Sequence, residues 1–201
     1  MKPSSKSIVR ALACAVLAGS AQVTALDLQI PVYEDSLDNG LRCIIVRDTN
    51  VAVVSCRLYY FVGSMYEGPG TSGLSHMFEH MMFKGTKRLG TTDYEKEVPY
   101  MAKIDSIDAT VQHLRDQGIE ETDRRIGLLR NEIFGLLKQQ RAYIRKDEIW
   151  DTYQVNGGTH LNAWTSDDMT AYIVTLPRNK IELFYWIESD RMRDPVLREF
   201  Y

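Results

Sequence analysis

Two histidines one helical turn apart, set in an apolar run, constrain this chain more than any other feature. The stretch Ser72-Gly73-Leu74-Ser75-His76-Met77-Phe78-Glu79-His80-Met81-Met82-Phe83-Lys84-Gly85 reads as a helix. A hydroxyl at Thr71 or Ser72 suits its start, because it accepts from an otherwise unpaired backbone N–H. Gly85 suits its end, where the chain needs a left-handed residue. On a helix His76 and His80 share one face and Glu79 flanks it. Imidazoles at that spacing can grip one zinc ion, and a carboxylate beside them can take a proton from metal-bound water. The order H-x-x-E-H reverses the commoner H-E-x-x-H. Leu74, Met77, Phe78, Met81 and Phe83 make the run apolar nearly all round, which predicts a buried helix. Polar groups in such a place need partners, and a metal supplies one. On the motif alone, a chance pair of histidines stays open as the alternative.

The chain has 201 residues, 44% of them hydrophobic, enough for one domain with a core. A net charge of −3, with no long basic run, argues against a nucleic-acid partner. Residues 1–25 read as a secretory signal peptide. Lys2, Lys6 and Arg10 give a positive start, Ala11 to Ala18 a short apolar run, and Val23-Thr24-Ala25 a cleavage position. Ala21 is a second cleavage candidate, and a buried N-terminal helix is the alternative reading. Once the signal is removed, nothing is long enough to span a membrane, so the protein is expected in a periplasm or secreted. Export leaves Cys43 and Cys56 free to bridge, and two buried thiols remain the other possibility.

Further along, Val32-Tyr33-Glu34, Leu41 to Val46 and Val51 to Val62 read as strands, with a turn at Asp38-Asn39-Gly40. They suggest an antiparallel meander that sets Cys43 and Cys56 on neighbouring strands. Thr91-Thr92-Asp93 looks like a helix start that Pro99 kinks or delays. Met101, Ile104, Ile107, Val111 and Leu114 then keep helical spacing up to Gln117-Gly118. A second helix is expected from about Glu121 to Trp150, with a coiled-coil seam at Ile126, Leu129, Ile133 and Leu136. Residues 95–150 thus form an antiparallel helical hairpin, its charged faces in solvent. After a turn at Gly157 to His160, Leu161 to Ser166 and Ala171 to Leu176 are strands joined by Asp167-Asp168. Asn179 can cap a helix from Lys180 to about Met192.

Several of these motifs, in this order, resemble the pitrilysin/insulinase family of zinc metallopeptidases, the inverzincins. They are Asn39-Gly40-Leu41, Phe61-Val62-Gly63-Ser64, the run from Gly73 to Thr86, Asn162 to Ser166, Thr170 with Tyr172, and Glu188 to Met192. The resemblance implies an α+β fold: an antiparallel sheet with helices packed on one face, here with 95–150 as an inserted hairpin. It implies His76 and His80 as zinc ligands and Glu79 as general base. Asn162, Ala163 and Trp164 would lie on a sheet edge where a peptide or unfolded protein substrate adds as a strand. The third ligand of the family is a glutamate on the helix after Asp190-Arg191-Met192, which would fall beyond Tyr201. On this reading residues 26–201 are a partial N-terminal peptidase domain, nearly inactive alone, whose partner is a second homologous domain or subunit. His113 and His160 are not ligands. A non-catalytic peptide-binding or partner subunit is the alternative, and a structural zinc protein a weaker one.

Overall fold

The computed structural model describes residues 31–200. The signal expected over residues 1–25 lies outside them. The chain divides into two units, at Val51 and Ala52. In the first, β1 (Val32–Ser36) and β2 (Arg42–Val46) pair antiparallel as a hairpin. Its turn is the expected one: the Gly40 N–H donates to the Leu37 carbonyl at 2.8 Å.

The second unit is α+β. Its strands are β3 (Val53–Tyr60), β4 (Thr159–Thr165) and β5 (Thr170–Pro177), in the antiparallel order β3-β5-β4. The expected meander does not form, since β3 pairs with β5, and Cys56 stands opposite Val174. Alternation explains the choice. Val54, Cys56 and Leu58 share one face of β3, and Leu176, Val174 and Tyr172 of β5 supply the matching apolar row. β1 and β2 are largely exposed and make no such row. Cys43 and Cys56 are both free thiols, on separate sheets. Burial, helped by the Glu188 charge, pushes the Cys56 thiol up to about 11, so it is a packing group and a poor nucleophile.

Helices cover that apolar face. Those on it are α1 (Leu74–Met81), α4 (Glu148–Val155) and α5 (Ile181–Arg193), while α2 (Tyr94–Asp116) and α3 (Arg124–Gln140) pack on each other. Ile149 and Tyr153 of α4 and Ile187 of α5 close on Cys56, Val174 and Leu176. Met82, just past α1, closes on Leu58 and Tyr172. Among the described residues no helix is long and apolar enough to cross a membrane.

The hairpin is α2 packed on α3, with Ile104, Val111, Ile126 and Ile133 buried. Two of its expected boundaries move. Asp93 caps α2 by accepting from the Lys96 N–H at 3.2 Å, so the helix starts before Pro99 and contains it. The second helix stops at Gln140, well short of Trp150. The chain then turns, Ile144 bridges to Thr91, and Asp147 takes a left-handed φ of 56° before α4 begins. That turn lets Ile149 and Tyr153 reach the sheet, which a straight continuation of α3 would carry elsewhere. Similarly, the cap of α5 falls on Lys180 rather than Asn179, after a short 3-10 turn.

The loop after α1 is fixed by close backbone approach. Gly85 has φ 106°, and a Cβ there would stand 2.2 Å from the Leu89 carbonyl oxygen. Arg198, fully buried, fills the inside of this loop. Its guanidinium donates to the carbonyls of Lys84, Leu89 and Thr86 and pairs with Glu97 of α2 at 2.8 Å.

Candidate active site

The helix α1 does not start as its sequence suggests. The Thr71 hydroxyl accepts from the Gly68 N–H and closes the preceding turn. The cap comes from further back: the Glu67 carboxylate accepts from Gly73 N–H at 2.6 Å and Ser75 N–H at 2.8 Å. A carboxylate there satisfies two orphan donors and meets the positive end of the helix dipole. Those bonds, the Ser75 one foremost, hold the Glu67 carboxyl below the usual carboxylate range. The sign follows from linkage. A lowered folded-state pKa stabilises the fold above the unfolded value of about 4.3, and the gain fades as pH falls through the folded value. Glu67→Gln is therefore expected to show a smaller loss of stability than the parent chain between about pH 6 and about pH 3. Urea midpoints at the two pH values check this.

The expectation that α1 is buried all round is also corrected. Met81 and Glu79 face inward, whereas Leu74, Met77 and Phe78 are exposed, because only one side of the short helix meets β4 and β5. His76 and His80 lie on an open face. Their Nε2 atoms are 3.1 Å apart and the rings are tilted at 54°. Two nitrogens bound tetrahedrally at about 2.0–2.1 Å from one zinc ion would be about 3.3 Å apart, close to this separation. Two lone pairs facing each other repel, so either one ring donates to the other or a cation stands between them. The donor types and their spacing fit zinc as two ligands of a set. Among the described residues no group of three or more His, Cys, Asp or Glu is arranged to hold a metal ion.

Glu79 is 7% exposed, and its Oε2 accepts from the Thr165 hydroxyl at 2.9 Å. The Thr170 hydroxyl next to it donates to the Val62 carbonyl at 3.0 Å. Thr165 ends β4, an edge strand among the described residues. Along β4, Ala163 and Thr165 face α1, while Trp164 turns to the other face and meets Tyr59 edge-on at 6.5 Å. Asn162 and Trp164 therefore bring mainly their backbone to the cleft. The cleft wall continues through Ser64, whose N–H donates to the Ser166 carbonyl and whose hydroxyl bonds Asp167. This contact needs Gly63, where a Cβ would sit 2.2 Å from the Ser166 oxygen. His76, Glu79, His80, Asn162, Ala163 and Trp164 thus line one cleft of about 690 Å³. His113 is exposed on α2, and His160 is exposed at a bulge in β4 with φ 51°. Neither lines that cleft. Thr165 and Glu67 went unassigned in the sequence. Period-two alternation from Ala163 points to Thr165, whereas nothing local marks Glu67 as the cap.

Residues 42–112, which contain the histidine pair and Glu79, match the insulinase family, peptidase family M16. Over this segment the chain is similar to the insulinase family. The mitochondrial-processing peptidase subunit beta of Bos taurus is 40% identical over 65 residues, 32% of this chain and 13% of that protein. The zinc protease PqqE of Helicobacter pylori is 38% identical over 71 residues, 34% of this chain and 16% of that protein. The chain thus spans a small part of the relatives it matches. A solved structure of a protease from Helicobacter pylori superposes with a TM-score of 0.54 at 21% identity, over 85% of this chain and 28% of that one. That likeness is one of fold.

Proposed function

We propose that residues 26–201 carry part of the catalytic machinery of an exported zinc metalloendopeptidase acting on peptides or unfolded proteins. The observation that carries the reading is the pair of facing imidazoles beside a buried carboxylate, set against a strand edge that is unpaired among the described residues. His76 and His80 would hold zinc through Nε2. Zinc, when bound, supplies a Lewis acid and lowers the pKa of water. Glu79 is the general base: Thr165 holds Oε2, and Oε1 is left to take a proton from the attacking water. The backbone of Asn162, Ala163 and Trp164 pairs with an extended substrate and lays its scissile bond along the cleft. The positive, then apolar, residues 1–25 support export.

A catalytic zinc usually has three protein ligands. With two among the described residues, the reading takes its third from elsewhere, and a second homologous domain or subunit as partner to complete the cleft. This chain alone is therefore expected to hold zinc weakly and to hydrolyse little. The second reading is a non-catalytic peptide-binding or partner subunit, in which the motif residues would be relics. Zinc titration tests the first reading. His76→Ala and His80→Ala are each expected to weaken binding at least about tenfold, since each removes one of two donors. Unchanged affinity in both variants overturns the assignment.

A further inference from the structure

We infer that Thr165 is a positioning residue whose hydroxyl proton, left undivided by Thr170, sets the orientation of the general base, an inference that rests on the zinc-peptidase reading above. The protons around it can be counted. The Thr165 hydroxyl lies 2.9 Å from Glu79 Oε2 and 3.4 Å from the Thr170 hydroxyl, which in turn lies 3.0 Å from the Val62 carbonyl. Three contacts share the protons of two hydroxyls. The Val62 carbonyl has no proton to give, so Thr170 donates to it and only accepts from Thr165. An ionised carboxylate has none to give either. The Thr165 proton thus has two acceptors in reach, and the nearer, charged one wins. Glu79 receives a charge-assisted bond at Oε2, while Oε1 is left to the cleft that Glu79 lines.

The hydroxyl is also held in place. Thr165 and Thr170 stand opposite each other at the turn end of the β4–β5 register, with both hydroxyls on the side toward α1. A β-branched side chain is stiff at χ1. Thr170 is buried, and its bond to Val62 ties it to the end of β3. The turn beyond Thr165 is clamped as well: the Ser64 N–H donates to the Ser166 carbonyl at 3.1 Å and the Met65 N–H to the Asp167 carbonyl at 2.8 Å. Backbone and side chain are therefore fixed before any substrate arrives, which is what lets a supporting hydrogen bond place a reacting group. The segment from Val62 to Met65, distant in the chain from Thr165, takes part in aiming Glu79.

The test has two readouts. Peptide turnover is measured in a chain extended until its zinc set is complete, and the Glu79 carboxyl carbon is followed by NMR in the metal-free chain as it stands. Thr165→Val keeps the side-chain shape and loses the proton. Its kcat is expected to fall about tenfold to about a hundredfold, the worth of one hydrogen bond to a charged group, with KM within about twofold. Thr165→Ser restores the hydroxyl and should bring kcat back to within about threefold of the parent. The Glu79 carbon signal should move in Thr165→Val and return in Thr165→Ser. Thr165→Ala repeats the loss in case valine disturbs folding. Thr110→Val, which removes a hydroxyl that donates to Ser106 within α2, should change neither readout. An unchanged kcat in the valine and alanine variants, a loss carried by KM alone, or a serine variant no better than valine overturns the positioning role and leaves the general base standing. No hydrolysis by the extended parent, or turnover that survives Glu79→Gln, overturns the peptidase reading, and the positioning role with it.

Discussion

Glu79→Gln is expected to cut peptide hydrolysis by about 10²–10⁴-fold, the usual contribution of a positioned general base. The comparison is made in a chain extended until its zinc set is complete. The substitution keeps the shape of the side chain and its bond from Thr165, so zinc affinity should hold within about threefold while turnover collapses. Burial makes this split sharp. Glu79 is nearly covered, with one oxygen fixed, so the variant can neither swing to a new position nor recruit bulk water as its base. A subunit that only binds peptide would show no hydrolysis to lose, and activity surviving in the variant would remove Glu79 from the mechanism.

Arg198→Ala is expected to cost about 3–5 kcal/mol of unfolding free energy, the range for removing one partner of a buried ion pair. Arg198 and Glu97 are both fully buried, and Gln140 of α3 donates to the same Glu97 carboxylate at 3.0 Å. Losing the guanidinium leaves the carboxylate charged in the interior, and three carbonyls of the loop lose a donor. Replacing both partners, as in Glu97→Leu with Arg198→Met, should destabilise less than Arg198→Ala alone, because no charge is stranded. Urea unfolding of the three chains separates these outcomes. A cost below about 1 kcal/mol for Arg198→Ala would mean the pair is solvated in solution. The same contacts hold the Lys84 backbone, so this variant should also loosen the wall of the cleft that Lys84 lines.

Much of the site was legible in the sequence because its chemistry is local. His76, Glu79 and His80 meet through helical spacing alone. The β4–β5 hairpin follows from two alternating runs around Asp167-Asp168, and α2 packs on α3 through the apolar positions that set their period. What was hidden depends on residues far apart in the chain. The partner of β3 is β5, decided by a matching apolar row rather than by adjacency. The cap of α1 is Glu67, which reaches across a turn that Thr71 closes. α3 stops at Gln140 because the sheet beyond it needs Ile149 and Tyr153, a demand that hydrophobic spacing within the helix does not express. Nothing near Arg198 in the sequence marks it for burial; the carbonyls of Lys84, Thr86 and Leu89 that close around it lie more than a hundred residues earlier.

X-ray absorption on the zinc-loaded chain tests the central claim most directly, because it counts and identifies the atoms around the metal. The expected spectrum has two imidazole nitrogens at about 2.0–2.1 Å, with light oxygen scatterers filling the remaining places, and His76→Ala removes one imidazole. Sulfur at about 2.3 Å, or a shell without imidazole, would put the metal on Cys43 or Cys56 or at no defined site, and would contradict the account.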